Sequence, residues 1–156
     1  MSAPPTSHHL RTLRSEDLDW VVEIDRRIAG RSRAGFFEKR LQASLADPEG
    51  FIVVAAESGG VLNGYAIARF QDGEFDDDRP VALLDAIGVD PDCQRQGLGK
   101  MLIEGIDKVM RMRGVQELRT QAAWTDHALM RFFASVGFSL APHRVLERSP
   151  AGGMEG

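Results

Sequence analysis

The sequence predicts a single α/β domain built on a mixed sheet, and three observations carry that prediction. Three β-rich apolar runs, Phe51–Glu57, Val61–Phe70 and Val81–Val89, crowd the middle of the chain between turn-forming residues. From Gly97 the apolar period becomes helical, with Leu98, Leu102, Ile106 and Val109 on one face, and strand-like and helical segments alternate from there. The length, 156 residues with 43% hydrophobic content, suits one core.

Taken in order, residues 1–9 (MSAPPTSHH) and 149–156 are Pro-, Ser- or Gly-rich and read as flexible ends, leaving a domain over 10–148. Leu10–Leu13 suits a short first strand. Ser15 is the expected N-cap of a helix whose first turn holds Glu16 and Asp17 and whose stripe is Leu18, Val21, Val22 and Ile28. Gly30 ends it. A second helix is expected over about Ala34–Ala46, with Phe37, Leu41 and Leu45 on one face, before the turn Asp47-Pro48-Glu49-Gly50. Ser58-Gly59-Gly60 breaks the first long strand, and Asn63-Gly64 reads as a turn-like interruption of the second. Gln71–Pro80 is an acidic loop. After Val81–Val89 come a helix over Gly97–Arg113 closed by Gly114, a β-like Val115–Ala123, a helix over Asp126–Val136 and a last short strand at Arg144–Arg148.

Composition removes several function classes. The longest apolar run, Phe51–Ala56, is too short to span a membrane. The first residues lack the basic and apolar regions of a secretory signal, so a cytoplasmic location is expected. One cysteine, Cys93, supplies neither a disulfide framework nor a metal cluster, and no metal is expected. A net charge of −4 disfavours nucleic acid as a partner.

Chemistry concentrates in Val89-Asp90-Pro91-Asp92-Cys93-Gln94-Arg95-Gln96-Gly97-Leu98-Gly99-Lys100. This stretch leaves a strand, turns at Asp90-Pro91 and enters a helix through two glycines. Glycine lets a ligand approach the backbone, and the first N–H groups of a helix point outward without internal partners. Such a junction holds phosphate, and Arg95 and Lys100 add charge. A P-loop would need Gly at position 94 and Ser or Thr at 101, where Gln94 and Met101 stand. A dinucleotide fingerprint would need Gly or Ala at 102, which is Leu102.

The spacing that fits is Val89-x-Pro91-x-x-Gln94-x-x-Gly97-x-Gly99, which resembles the pyrophosphate-binding signature of the GNAT N-acetyltransferase family. The resemblance continues to a helix ending in Gly137-Phe138 and covers Leu10 to about Glu147. It implies a mostly antiparallel mixed sheet, about four flanking helices and a parallel strand pair that splays apart. It also implies acetyl-CoA or a related acyl-CoA as donor. Backbone at Ile87 and Val89 would pair with the pantetheine arm, and Gln94, Arg95, Gln96, Gly97, Leu98, Gly99 and Lys100 would hold the pyrophosphate. The Val89 amide would stabilise the developing oxyanion. A primary amine, on a small molecule or on a protein lysine or N-terminus, would attack the thioester directly in a ternary complex.

At pH 7 only on the order of one lysine-like amine in two thousand is neutral, a penalty of roughly 4 to 5 kcal/mol, so a base or water relay is useful. Asp85 is the candidate base, four residues before Val89 in an otherwise apolar strand, with a wet-face or structural carboxylate as the competing reading. Two positions depart from the family pattern. Phe133 stands where a general-acid Tyr is common, and Asp126 where an Asn near the pantetheine is usual. These departures support a second reading, a non-catalytic acyl-CoA-binding regulatory module; an O-acyltransferase is a third. Arg26, Arg27, Arg31 and Arg33 could meet an acidic group or a CoA phosphate, while Asp72, Glu74, Asp76, Asp77 and Asp78 could attract a polyamine, an aminoglycoside or a lysine. The short segment after Phe138 suggests strand completion across a homodimer.

Overall fold

Among the described residues five strands form one sheet in chain order: β1 (His9–Thr12), β2 (Phe51–Ser58), β3 (Val61–Gln71), β4 (Val81–Val89) and β5 (Leu118–Arg119). Neighbours from β1 to β4 are antiparallel, whereas β4 and β5 run parallel, with Ala82 beside Leu118 and Leu83 beside Arg119. The computed structural model describes residues 7–72, 79–121, 126–141 and 146–150. The sheet lies in a unit that ends at Gln121 and also holds α1 (Leu18–Ala29), α2 (Ala34–Ala46) and α3 (Leu98–Met112). A second unit begins at Ala122 and holds α4 (His127–Ser135).

The helices cover the sheet because their apolar stripes must leave water. Val21 and Ile24 of α1 and Phe37 and Leu41 of α2 bury against Ala55, Tyr65 and Ile67. Each such side chain contributes roughly 1.5–3 kcal/mol. α3 buries Leu98, Leu102, Ile103, Ile106 and Met110, and it approaches the strands closely at two glycines. A Cβ on Gly105 would stand 2.7 Å from Leu10 Cδ1, and one on Gly64 would stand 3.2 Å from Leu102 Cδ1. Gly30 ends α1 in the left-handed conformation, φ 76°, with its N–H bonded to Arg26 C=O at 2.8 Å, as the sequence suggests.

Four expectations need correction or trimming. Ser15 is not the cap of α1; it opens a 3-10 turn, Ser15–Asp17, whose Asp17 carboxylate accepts the Arg14 N–H at 2.7 Å. Asn63-Gly64 is not a turn. The reversal is made by Gly59 and Gly60, both at positive φ (57° and 79°), and β3 runs on through Asn63. β5 is regular over two residues only, and positions 122 and 123 of the expected longer strand lie outside the described residues. Residues 146–148 of the expected last strand carry no regular structure, and 144 and 145 lie outside the described residues, as do 73–78 of the acidic loop.

Two bulges shape the sheet. Asn63 is the extra residue of β3 opposite β2, where pairing steps from Ala56↔Gly64 to Glu57↔Leu62. Asp85 is the extra residue of β4 opposite β3, where pairing steps from Ile67↔Ala86 to Ala68↔Leu84. A bulge bends its strand and raises its local twist.

Candidate active site

The Asp85 bulge decides which way the backbone of β4 faces. On its N-terminal side, Ala82 N–H bonds Glu117 C=O at 2.9 Å and Leu84 C=O accepts Thr120 Oγ1 at 3.0 Å, so alternate residues from Ala82 address the β5 side. On its C-terminal side, Asp90 N–H bonds Asn63 C=O at 2.8 Å, which assigns Gly88 and Ala86 to β3 by alternation. Ile87 and Val89 therefore turn their N–H and C=O groups to the other edge. β5 pairs only with Ala82 and Leu83, so among the described residues that edge has no strand beside Ile87 and Val89.

β4 runs directly into the phosphate-type turn. The Asp90 carboxylate accepts the Asp92 N–H at 2.9 Å, and Pro91–Cys93 form a 3-10 turn. Arg27 of α1 clasps this turn, 2.8 Å from Asp90 and 3.1 Å from Asp92. Gln94, Arg95 and Gln96 are exposed. Arg95 is the one non-glycine at positive φ (70°) among the described residues, and Gly97 caps α3 at φ 76°. A Cβ on Gly97 would meet no protein atom within 4 Å, so backbone conformation rather than packing calls for glycine there. The first helical bond is Met101 N–H to Gly97 C=O at 3.0 Å. The N–H groups of Leu98, Gly99 and Lys100 thus precede the helical ladder at its positive end. Leu98 is buried, while Lys100 is exposed and lies 4.0 Å from Glu104.

Beside this helix start, His8, Gln96, Gly97, Leu98, Lys100, Met101 and Glu104 line an open depression of about 380 Å³. His8 is held there by Asn63, whose Nδ2 lies 3.0 Å from His8 Nε2. On sequence His8 belongs to a flexible end; the pairing of β1 with β2 and the Asn63 contact bring it to this helix start.

Asp85 is not an isolated carboxylate. Its oxygens accept from Arg69 Nε at 3.3 and 3.1 Å, and Arg40 Nε stands 3.5 Å from Oδ2. The carboxylate side chain is 13% exposed, the two arginines 34% and 35%. Arg40 Nε is buried without a hydrogen-bond partner. The Arg40 guanidinium lies 5.2 Å from the Phe36 ring, and Arg33 lies 5.6 Å from the same ring. Arg33 in turn bonds the buried Asp25 through Nε at 3.0 Å and through Nη2. On sequence Arg40 and Arg69 are each one charge among many, and the fold brings them to Asp85 from α2 and from β3.

Tyr65 is buried in the core, edge-on to Phe37 with ring centroids 5.5 Å apart. Burial pushes its hydroxyl pKa above the ordinary 10.0, and the charge of Asp25 pushes it further while Arg33 opposes. Burial also raises the Cys93 thiol, with Asp90 and Asp92 adding to the effect.

In the second unit, Asp126 caps α4 by accepting the Leu129 N–H at 3.1 Å. Phe133 is buried between Phe132 and Phe138, with centroids 5.4 and 5.0 Å away, so it packs that unit's core. Gly137 turns the chain at φ 96°, and the Phe138 N–H returns to Phe133 C=O at 2.9 Å. Among the described residues no group of three or more His, Cys, Asp or Glu could hold a metal ion, and no helix is long and apolar enough to cross a membrane.

The chain is 26% identical over 142 residues to a mycothiol acetyltransferase of Propionibacterium freudenreichii, covering 87% of this chain and 44% of that protein. It is 40% identical over 63 residues to the [ribosomal protein bS18]-alanine N-acetyltransferase of Salmonella typhimurium, covering 40% and 43%. It thus spans less than half the length of these curated relatives. Among solved structures, an aminoglycoside N-acetyltransferase AAC(6')-Iy in complex with CoA superposes with a TM-score of 0.80 at 16% identity, over 96% of this chain and 99% of that one. Residues 10–138 match the acetyltransferase (GNAT) family, and the chain belongs to that family.

Proposed function

We propose that the chain transfers an acetyl group from acetyl-CoA to a primary amine by direct attack in a ternary complex. The observation that carries this reading is the continuity of two features. The edge of β4 at Ile87 and Val89, unpaired among the described residues, leads within one short turn to the N–H groups that precede the helical ladder of α3. An extended amide chain ending in a diphosphate has that same order of needs. The residues fit such a donor: the edge offers strand-like hydrogen bonds, and Gly97 leaves backbone N–H groups accessible. Relatives named as N-acetyltransferases and a fold neighbour that binds CoA support the same reading.

The donor supplies the activated thioester. The Val89 N–H, facing the open edge, is the group we assign to its developing oxyanion. Gln94 to Lys100 hold the diphosphate. The roles of Asp85 and position 133 follow from their neighbours. Asp85 is already engaged by Arg69 and lies beside Arg40, so we assign it to positioning those guanidiniums, with deprotonation of the amine left to water. Phe133 has no proton to donate, and CoA thiolate leaves without a tyrosine acid.

The test is acetyl-CoA binding by calorimetry, followed by CoA release and product mass with a panel of primary amines. Binding in the micromolar range, weakened at least tenfold by Gly97→Val, together with an acetylated amine, is the expected result. Binding without turnover of any amine would instead favour a non-catalytic acyl-CoA module, the reading to which Phe133 lends support.

A further inference from the structure

The wall around Asp85 separates its charges by depth. The two carboxylates face inward, Asp25 at 4% and Asp85 at 13% side-chain exposure, while Arg33, Arg40 and Arg69 keep between 34% and 41%. Three guanidiniums answer two carboxylates, so among the described residues the wall carries one surplus positive charge. Its solvent side is made of guanidinium and the Phe36 ring. Arg69 spends its Nε on Asp85, and Arg40 Nε stands 3.5 Å from the same carboxylate without a hydrogen bond; the terminal nitrogens of both bond no described residue, which leaves two forks beside one carboxylate. Paired guanidinium forks match a carboxylate in shape and charge.

This wall shares β4 with the open edge. Arg40 reaches Asp85 from α2 and Arg69 from β3, so the wall stands on the α2 side of the strand that carries Val89. Asp85 and Val89 are four residues apart on one strand, a span of roughly 13 Å at about 3.3 Å per residue. A small molecule with an amine at one end and an acid at the other bridges that distance.

We infer that the acceptor is a small amine that also carries a carboxylate, held by Arg40 and Arg69 while its amine reaches Val89. The inference rests on the acetyl-transfer reading for its direction, but binding tests it without turnover. The probes are alanyl-glutamate, the same dipeptide with both carboxyls amidated, and spermidine, each titrated calorimetrically into the protein saturated with CoA. Acetyl-CoA consumption is followed on the same three compounds. The free acid binds at least tenfold more tightly than its diamide, and spermidine binds more weakly still. Arg40→Met and Arg69→Met each close the gap between acid and diamide, while Lys108→Met, on the exposed side of α3, keeps it. Circular dichroism confirms that the variants fold. Diamide or spermidine binding as tightly as the acid, a gap that persists in both arginine variants, or no binding of any probe overturns the inference. An acid preference without acetylation of any probe keeps the anion site and sinks the acetyl-transfer reading instead.

Discussion

Gly88 lies against the edge of Tyr65: a Cβ at position 88 would stand 2.6 Å from Tyr65 Cε1 and 2.7 Å from its Cζ and hydroxyl oxygen. The two residues face each other across β3 and β4, one step before Val89. The only tyrosine of the chain is therefore accommodated by a missing side chain on the strand that carries the open edge.

Replacing that glycine tests the fit. Gly88→Ala overpacks against a rigid ring and is expected to cost about 1–3 kcal/mol in urea unfolding. Tyr65→Leu costs stability on its own by opening a void beside Phe37, yet it relieves the clash. The double variant is expected to be more stable than the sum of the two single losses predicts. Strict additivity would show that Tyr65 does not contact position 88.

The arginine pairs of Asp85 make a distinct kinetic prediction. Asp85→Asn is expected to raise the acceptor KM about tenfold and to leave the shape of the pH–rate profile unchanged, because the charge that orders Arg40 and Arg69 is gone. Loss of one limb of that profile, with a 10²- to 10⁴-fold fall in kcat, would assign Asp85 as the general base.

Arg27 ties α1 to the turn before α3. As an exposed pairing it does little for global stability, so Arg27→Ala is expected to leave Tm nearly unchanged. The same substitution frees Asp90 and Asp92 at the turn and is expected to weaken CoA binding severalfold by calorimetry. A large fall in Tm with unchanged CoA affinity would reverse that assignment.

Acid stability follows from Asp17. Burial alone would raise its pKa, but hydrogen bonds from the Arg11 side chain and the Arg14 N–H outweigh burial and hold it below the ordinary 3.8. A carboxyl depressed in the folded state stabilises above its unfolded value and loses that contribution as pH falls through the folded one. Stability from this group is thus full above about pH 4 and declines below it. Arg11→Met is expected to shift acid unfolding to higher pH, read by circular dichroism.

A homodimer completed by strand exchange after Phe138 predicts twice the monomer mass by light scattering at micromolar concentration. Leu140 and Leu146, both almost fully exposed, are the apolar side chains such a partner would cover. A monomer at that concentration removes the idea.

Much of the framework was legible because it depends on local signals. Gly30 and the apolar stripe of α3 marked helix limits, and the Val89 to Gly99 spacing marked a strand-to-helix junction able to hold phosphate. Legibility ended where the register decides. Asn63-Gly64 and Gly59-Gly60 are both turn pairs by composition, and only the pairing of β2 with β3 selects the second. Asp85 was singled out as an acid in an apolar strand. Its partners were not, because Arg40 and Arg69 reach it through a helix and a neighbouring strand. His8 looked like part of a frayed end, since nothing local predicts its bond to Asn63.

Asp85 is, in the β4 ladder, a residue to spare. Residues 81–84 align with 71–68 and residues 86–89 with 67–64, and neither run needs it. Deleting it would leave both runs in step and Ile87 and Val89 still turned outward. Such a shortened chain separates a kink and its carboxylate from the fabric around them: a straight, well-paired ribbon that still folds, and whose lost activity would belong to one inserted residue.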